Sequence, residues 1–334
     1  MITNDEKFQS VKFAIEQRKF FADLTTAFRL FNGFYEGYPG LVIDRYGETL
    51  VIFDHGKPGE ANDIIQQIGR WAMEALDGIT SVLLKQRQGS DAEMVNGILI
   101  EGSDVTQSIR EFDVSYALDL QLNQDASIYL DTRNLRRWLL DHSEGLQVLN
   151  TFAYTGSLGV AAGMGNASMV IQTDLNENFL EIAQKSWDIN HLDPGRNKII
   201  TGDYFKVTGK MRHEERLFGC VIMDPPYFST TEAGRVDLQR DVSRLINKVR
   251  PLVAHQGWLI LINNALFLSG EAFMMELKSL CKSPYLSFER IIPVPPDVTG
   301  YPNTILDAPP ANPAPFNHPT KIAILRVFRK DEQK

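Results

Sequence analysis

Three acidic residues each end a predicted strand and could bind one polar ligand together. Asp174 ends MVIQTDL, Asp203 ends NKIITGD and Asp224 ends FGCVIMD. A carboxylate at a strand end can accept hydrogen bonds from hydroxyl or amine groups. Each acid alone could equally be a helix N-cap, and Asp174 directly precedes a predicted helix. Three such acids in succession favour a nucleoside-shaped ligand.

A glycine-containing segment, NTFAYTGSLG at residues 150–159, follows another predicted strand. Glycine permits a tight turn and lets a ligand approach the N-terminus of the next helix. The spacing is not the GxGxxG of dinucleotide-binding folds. Asp174 lies 18 residues after Gly156, which suits a carboxylate that binds ribose hydroxyls. The loop and the acid together therefore predict a ribose site.

Asp224 begins an unusual run in which Pro225, Pro226 and Tyr227 follow a buried-looking strand. Prolines fix φ near −65° and lack an amide donor, so their carbonyls can point rigidly at a ligand. The tyrosine ring offers a flat face on which a nucleic-acid base can stack. A proline-stiffened turn with a core tyrosine is the alternative that needs no ligand.

The elements that would position these residues alternate between strand and helix from residue 146 onward. Predicted strands cover 146–152, 169–175, 197–203, 218–224, 257–263 and 321–329. Predicted helices cover 158–165, 176–192, 236–253 and 270–281. Continuous apolar strands between helices predict an α/β class, a doubly wound, Rossmann-like, mostly parallel sheet covered on both faces. Ligands bind such sheets at the carboxyl ends of the strands, near the switch point.

The first 115 residues follow a different pattern. Residues 7–31 have apolar positions at helical spacing, and GLVIDRYGETLVIF at 40–53 predicts a β-hairpin. Further short strands are predicted at 81–87, 96–102 and 112–119. We therefore expect a small β-rich α+β domain over residues 1–115 and a second domain over residues 116–334.

Composition excludes several classes of protein. The 334 residues are 43% hydrophobic and 23% charged, as in globular domains. No apolar run approaches the roughly 18 residues of a membrane span, the N-terminus lacks an apolar signal core, and two cysteines cannot form a disulfide framework. We expect a cytoplasmic monomer or homodimer without membrane contact or metal. The net charge of −8 argues against an indiscriminate nucleic-acid coat but permits a local basic groove.

The motifs together resemble class I S-adenosylmethionine (SAM)-dependent methyltransferases, and within that class the K and I family of ribosomal large-subunit RNA methyltransferases. The similar segments are 37–47, 128–139, 148–176, 221–229 and 238–241. The resemblance implies SAM as cofactor, S-adenosylhomocysteine (SAH) as product and RNA as partner, in ribosomal RNA or a ribosome-assembly intermediate. I-type members begin with an RNA-binding PUA domain. This chain starts where that domain would have ended, so we expect RNA capture to come from elsewhere.

The expected site combines the strand-end residues with the resemblance. Expected cofactor-binding residues are Arg133, Phe152, Tyr154, Thr155, Gly156, Asp174, Leu175, Asp203, Tyr204 and Asp224. Expected catalytic residues are Asp224, Pro225, Pro226, Tyr227 and Asn263. Asp174 is expected to bind ribose, Asp203 the adenine amine and Arg133 the carboxylate of SAM. Asp224 and Tyr227 are expected to face the methyl donor and the target base.

The cysteines bear on which atom would be methylated. Carbon-5 of a pyrimidine reacts only after a cysteine thiolate has added to the ring. The resemblance implies such a cysteine in I-type members, after the fifth strand. At that position this chain has Asn263 and Asn264. Cys220 lies four residues before Asp224, about 13 Å down the strand at about 3.3 Å per residue. We therefore expect Cys220 to be a packing residue, which disfavours carbon-5 methylation.

With two asparagines at this position, the sequence resembles that of K-type members, which methylate guanine N7. Either asparagine could read the edge of the base, although a strand-end turn explains the pair equally well. An exocyclic amine is a third possible target, because the Asp-Pro-Pro-Tyr motif is similar to that of amino-methyltransferases.

Several alternatives stay open. Arg136 and Arg137 share a predicted helix face with Arg133 and could meet RNA phosphate or form a solvated face. His318 could line the substrate mouth or be structural, and the proline-rich residues 307–319 predict a loop. The alternative functions are methylation of a small molecule or a protein, non-catalytic SAM binding, and a dehydrogenase. The glycine spacing argues against the dehydrogenase.

Overall fold

The computed structural model describes residues 3–18, 20 and 25–330. The chain divides into two compact units, which comprise Met1–Asp131 with Pro295–Pro309, and Thr132–Val294 with Pro310–Lys334. The domain boundary expected at 115/116 lies inside the first unit. Residues 295–309, expected in the second domain, belong to the first unit. No helix within the described ranges is long and apolar enough to cross a membrane.

A five-stranded mixed sheet forms the centre of the first unit, in the order β1-β2-β3-β4-β5. The strands are β1 (Ala27–Asn32), β2 (Leu41–Tyr46), β3 (Thr49–Asp54), β4 (Ser81–Gln86) and β5 (Ile98–Glu101). Neighbours are antiparallel except β3 and β4, whose parallel pairing requires a crossover connection. The remaining elements are α1 (Asn4–Glu16), the crossover helix α2 (Asn62–Ala75), α3 (Ala92–Asn96), β6 (Ser108–Glu111), β7 (Val114–Ala117) and α10 (Pro296–Thr299).

The predictions for this unit had mixed outcomes. The hairpin predicted over 40–53 is confirmed as β2 and β3, with its turn at Gly47 in the left-handed region (φ 59°). The helical interpretation is wrong for residues 27–31. These belong to β1, which pairs with β2 and is buried on both faces, apart from Arg29. Positions 19 and 21–24 of the predicted helical stretch lie outside the described residues.

A seven-stranded sheet forms the second unit, in the order β10-β9-β8-β11-β14-β16-β15. Its strands are β8 (Gln147–Thr151), β9 (Met169–Asp174), β10 (Asn197–Thr201), β11 (Phe218–Met223), β14 (Val253–Asn263), β15 (Leu286–Ile292) and β16 (Lys321–Val327). Its helices are α4 (Arg133–His142), α5 (Ser157–Met164), α6 (Glu177–Ile189), α7 (Tyr204–His213), α8 (Val242–Val249) and α9 (Gly270–Leu280). A two-stranded hairpin, β12 (Phe228–Thr231) and β13 (Gly234–Asp237), follows β11.

The predicted mostly parallel sheet is confirmed. The first five strands in the order run parallel, and β16 runs antiparallel to both of its neighbours. The chain moves from β8 outward through β9 and β10 and then returns to β11 on the other side of β8. The switch point therefore lies between β8 and β11, where a crevice opens at the carboxyl ends of the strands. We call this side of the sheet the carboxyl edge.

The helix predicted over 236–253 is wrong in its first third. Residues up to Asp237 belong to β13, and Oδ1 of Asp237 accepts hydrogen bonds from the amides of Gln239 and Arg240, which forms a turn. The helix α8 begins only at Val242. Its end precedes Pro251, whose missing amide and fixed φ interrupt a helix.

Candidate functional site

Three of the predicted site residues lie in one row across the carboxyl edge. The ends of β9, β8 and β11 pair in register, so Asp174, Phe152 and Asp224 occupy neighbouring positions at the strand ends. Adjacent strands are about 4.8 Å apart, which puts the Cα atoms of the two acids about 10 Å apart, on either side of β8. The switch point thus has a carboxylate on each side and an aromatic ring between them.

The loop after β8, residues 152–156, has a backbone that most residues avoid. Phe152, Tyr154 and Gly156 all have positive φ, at 54°, 50° and 77°. Left-handed φ costs a non-glycine residue roughly 1–3 kcal/mol and persists only where surrounding contacts impose it. One such contact is the stack of Phe152 on Tyr204, with ring centroids 4.5 Å apart. The two strained aromatic residues had no signal in the sequence, and strain of this kind clusters at ligand sites.

Asp174 braces this loop. Its Oδ2 accepts a 2.9 Å hydrogen bond from the amide of Tyr154, and its Oδ1 accepts one of 3.1 Å from the amide of Asn176. The alternative that Asp174 is the N-cap of the following helix is wrong, because the side chain of Asn176 caps α6. The carboxylate is partly exposed, and the neighbouring Leu175 is 55% exposed. An accessible acid beside an accessible apolar side chain fits a ribose next to a flat base.

Asp203 already has two structural tasks. It is the N-cap of α7, because its Oδ1 accepts hydrogen bonds from the amides of Phe205 (2.9 Å) and Lys206 (3.0 Å). Its Oδ2 accepts a 2.6 Å hydrogen bond from the hydroxyl of Thr231. An adenine amine would have to share this second oxygen.

Two other predicted cofactor contacts, Thr155 and Tyr204, are buried, at 3% and 5% exposure. The hydroxyl of Tyr204 donates a 3.1 Å hydrogen bond to the carbonyl of Leu245, and burial raises its pKa. The Tyr204 ring is therefore part of the core, and it supports the site through its stack on Phe152.

The residues after β11 combine one buried proline with exposed rings. Pro225 is buried, Pro226 is exposed, and Tyr227 is 45% exposed. The hydroxyl of Tyr227 donates a 3.0 Å hydrogen bond to the side chain of Gln239. The alternative of a core tyrosine is therefore wrong, because the ring lies at the surface beside Asp224, where a base could stack.

Asn263 and Asn264 have different environments at the end of β14. The side chain of Asn263 is 1% exposed, donates to the carbonyl of Leu238 (3.3 Å) and accepts from the amide of Ala265 (3.0 Å). These bonds form a strand-end turn, the structural alternative for this pair, and they keep Asn263 away from solvent. Asn264 is exposed and is the better placed of the two to meet a base.

A buried lysine, Lys321, was not anticipated from the sequence. It pairs with Asn263 across β14 and β16 and is fully buried. Its ammonium donates to the carbonyl of Ala265 (2.9 Å) and to that of Pro319, and burial lowers its pKa to about 8. It joins the loop after β14 to the segment that precedes β16.

The arginines of α4 do not share one environment. Arg133 is 3% exposed, and Arg136 is fully buried and donates to the hydroxyl of Thr132 (2.8 Å). Arg137 is 56% exposed and pairs with Asp141 (3.1 Å). Both expectations for Arg136, RNA contact and a solvated face, are wrong because its side chain is fully buried.

The hairpin of β12 and β13 is the main feature that the sequence did not predict. Its inner side is held to α7 by the bond from Thr231 to Asp203. At Gly234, a Cβ would come within 2.6 Å of the ring of Phe205. The hairpin therefore lies directly against the start of α7, at the carboxyl edge.

The cysteines do not reach the site. Cys220 is 1% exposed, and burial raises the pKa of its thiol to about 12. Cys281 follows the last residue of α9.

His318 accepts a hydrogen bond at Nδ1 from the amide of Thr320 (3.0 Å), so this ring nitrogen has a structural task. Within residues 3–18, 20 and 25–330, no three His, Cys, Asp or Glu residues form a group that could hold a metal ion.

Comparison with known families gives one match that covers most of the chain. The model of the family described as S-adenosylmethionine-dependent methyltransferase matches residues 51–307. This range includes the strand ends, the loop after β8 and the hairpin described above.

Curated relatives with similar sequences are methyltransferases. "Ribosomal RNA large subunit methyltransferase I" of Erwinia tasmaniensis is 30% identical over 210 residues, which are 62% of this chain and 52% of the relative. "Ribosomal RNA large subunit methyltransferase K/L" of Pseudoalteromonas translucida is 26% identical over 250 residues, which are 72% of this chain and 34% of the relative. The chain thus spans about half of the first relative and a third of the second.

Solved structures with the same fold include SMU.776, a candidate methyltransferase complexed with SAH. It has a TM-score of 0.84 and 22% identity, over 98% of this chain and 82% of that chain. The tRNA m1G37 methyltransferase of M. jannaschii has a TM-score of 0.53 and 17% identity, over 87% of this chain and 77% of that chain. At these identities the likeness concerns the fold.

Proposed function

Because the chain belongs to the S-adenosylmethionine-dependent methyltransferase family, we propose that it transfers the methyl group of SAM to a base of ribosomal RNA of the large subunit. The observation that carries this proposal is the row at the carboxyl edge. Asp174 and Asp224 flank the strained loop after β8, next to the exposed ring of Tyr227. The names of the curated relatives support ribosomal RNA as the substrate.

The proposed site binds two ligands, SAM and the target base, and the following side chains would bind SAM. Asp174 accepts hydrogen bonds from ribose hydroxyls, and Leu175 covers the face of the adenine. Asp203 accepts the adenine amine at the oxygen that Thr231 also uses. Arg133, at the start of α4, is assigned to the carboxylate of SAM. Bound SAM supplies an electrophilic methyl group, and the protein contributes orientation.

The packing of α4 against α5 supports this role for Arg133. At Gly165, just after α5, a Cβ would lie within 3 Å of the Leu140 backbone near the end of α4. The two helices therefore end next to each other, and α5 begins directly after the loop that follows β8. We infer that α4 runs alongside α5 and presents Arg133 near this loop.

We infer a ring or exocyclic nitrogen as the target atom, with guanine N7 as the leading candidate. A nitrogen lone pair needs no covalent activation, whereas carbon-5 of a pyrimidine needs a thiolate. The buried, protonated thiol of Cys220 cannot supply one. Tyr227 stacks on the target base, Asp224 faces the methyl donor and this base, and Asn264 is the asparagine that reaches the base edge.

The test compares ribosomal RNA from a deletion strain with RNA from its parent. Nucleoside mass mapping should reveal one methylated nucleoside that is missing from the deletion strain. The purified protein should restore it in vitro, and the Asp224→Ala variant should not, while its unfolding curve stays that of the wild type. Full activity of Asp224→Ala, or labelling of only small molecules or proteins, would refute the proposal.

A further inference from the structure

We propose, on the basis of the proposed RNA methylation, that the outer side of the β12–β13 hairpin binds single-stranded RNA next to the target base. The RNA-binding face consists of Phe228, Thr230, Arg235 and the adjacent Arg244. It begins at the residue that follows Tyr227, so it adjoins the place assigned to the target base.

The pairing of the two strands defines this face. Phe228 pairs with Asp237, and Thr230 pairs with Arg235. Directly opposed residues, and residues two positions apart in one strand, point to the same side of a hairpin. Phe228, Thr230, Arg235 and Asp237 therefore share one side. Val236, on the other side, is 3% exposed.

Burial agrees with this assignment. The inner side carries Thr231, which donates to Asp203, and Gly234, which contacts Phe205. On the outer side, Phe228 is 56% exposed and the side chain of Arg235 is 48% exposed. A large aromatic ring is thus presented to solvent on an element that is held firmly from behind.

Two guanidinium groups lie beside this ring and could contact phosphate. Arg235 and Arg244 lie 3.1 Å and 3.8 Å from the same carboxylate, that of Asp241. Asp237, on the same side as Phe228, adds a second carboxylate, so the two arginines are balanced by two acids. Phosphate would therefore bind by replacing the carboxylates as the partners of these exposed guanidinium groups, not through a net positive field.

An exposed ring beside arginines suits single-stranded RNA better than a duplex or a protein. Unpaired bases stack on aromatic side chains while cations follow the backbone, whereas the bases of a duplex are stacked on one another. A protein partner would call for a broader apolar patch, because the core of a protein interface is more apolar than the rest of the surface. We therefore assign Phe228 to a base that neighbours the target, and Arg235 and Arg244 to phosphate.

The test measures the binding of a fluorescein-labelled, unstructured RNA of roughly 12 nucleotides, in the presence of SAH. We expect Phe228→Ala to weaken binding about 10-fold and Phe228→Trp to keep it, because stacking is worth about 1–3 kcal/mol per base. Phe228→Leu, which is apolar but not flat, should resemble Phe228→Ala. Arg235→Gln should lower affinity and reduce the salt dependence by about one phosphate contact.

Matched controls lie beside the seven-stranded sheet of the second unit, at the side opposite the carboxyl edge. Ile189, at the end of α6, is 42% exposed, and Arg212 is exposed in the last turn of α7. Ile189→Ala and Arg212→Gln should bind RNA like the wild type. SAH affinity, measured by calorimetry, should be the same in every variant.

The outcomes separate this inference from the proposed function. If the wild type methylates ribosomal RNA but Phe228→Ala and Arg235→Gln bind the labelled RNA normally, the hairpin face is wrong and the proposed function stands. An equal loss of RNA affinity in Ile189→Ala and Arg212→Gln would also contradict the proposed RNA-binding face. If the wild type binds no RNA and labels none with methyl-tritiated SAM, both fail.

Discussion

The hydroxyl of Thr231 donates a 2.6 Å hydrogen bond to Oδ2 of Asp203, while Oδ1 of the same carboxylate caps α7. One acid thus joins the start of a helix to a hairpin that is distant in sequence. In the proposed function the same Oδ2 also meets the adenine amine. A ligand at this oxygen would therefore affect the hairpin that carries the RNA-binding face.

Removal of the Thr231 hydroxyl should loosen the hairpin without unfolding the unit. Thr231→Val keeps the shape of the side chain and deletes a hydrogen bond to a charged group, worth about 1.5–3 kcal/mol when fully desolvated and less at this partly buried position. We expect faster hydrogen exchange in β12 and β13. Exchange in the parallel strands should not change.

The neighbouring threonine provides the control for this experiment. Thr230 lies on the outer side of the hairpin and pairs with Arg235, so Thr230→Val should leave exchange in the hairpin as it is. Equal protection in Thr231→Val and the wild type would mean that the bond to Asp203 does not hold the hairpin.

Asp174→Asn should weaken SAM binding about 10- to 100-fold, because hydrogen bonds to a charged acceptor are worth about 1.5–3 kcal/mol. The amide would also turn a donor toward one of the backbone amides that the carboxylate now accepts from. Isothermal titration with SAM measures the change. Asp193→Asn is the control, because Asp193 accepts from the amide of Gly195 at an exposed turn near the start of β10, away from the carboxyl edge. Normal SAM affinity in Asp174→Asn would mean that Asp174 only holds the backbone of the loop after β8 and does not bind SAM.

Methyl transfer should not depend on either cysteine. Burial raises the pKa of Cys220 to about 12 and also raises that of Cys281, so both thiols stay protonated near neutral pH. The double variant Cys220→Ala/Cys281→Ala should keep its methyl-transfer rate within about twofold. If either thiol were a covalent nucleophile, its removal would abolish methyl transfer. Filter binding of tritiated RNA measures the rate. A rate near zero with an unchanged unfolding curve would restore pyrimidine carbon-5 as the target.

Six of the seven strands in the sheet of the second unit could be predicted because they are continuous apolar runs, whereas β15 and the helix α7 were not predicted. Such runs leave a parallel sheet as the arrangement that covers both faces. The strand-end positions of Asp174, Asp203 and Asp224 follow from the same pattern. None of these predictions needed knowledge of contacts between distant segments.

The hairpin and the asparagine pair could not be predicted, because distant contacts decide them. The inner side of the hairpin has a single aliphatic residue, Val236, so FSTTEAGRVD shows no strand alternation. The burial of Asn263 depends on the carbonyl of Leu238, 25 residues earlier in the chain. The positive φ of Phe152 and Tyr154 likewise has no local signal, since neither residue type favours that region.

Lys321 predicts a pH dependence of stability. Its pKa is lowered to about 8 by burial, whereas a lysine in the unfolded chain has a pKa of about 10.4. Between these values the unfolded chain binds more protons than the folded chain, so the free energy of unfolding rises with pH. Below about pH 8 both states hold the proton, and this contribution is flat.

Lys321→Met isolates this contribution, because it removes the ammonium and keeps the aliphatic length. It should cost roughly 2 kcal/mol or more near pH 7.5, since the buried carbonyls of Ala265 and Pro319 lose their donor. The difference from the wild type should grow at about pH 9.5, because only the wild type gains stability there. Urea unfolding at both pH values measures it. Lys85 of the first unit, with a pKa lowered to about 8, contributes the same slope to both proteins.

The exposed Lys278 of α9 provides the control. Lys278→Met should change stability by less than about 0.5 kcal/mol at either pH, as is usual for surface positions. A constant difference between the wild type and Lys321→Met from about pH 7.5 to about pH 9.5 would mean that the folded lysine keeps its ordinary pKa. Loss of methyl transfer in Lys321→Met with SAM affinity retained would further indicate that this lysine positions the loop that carries Asn264.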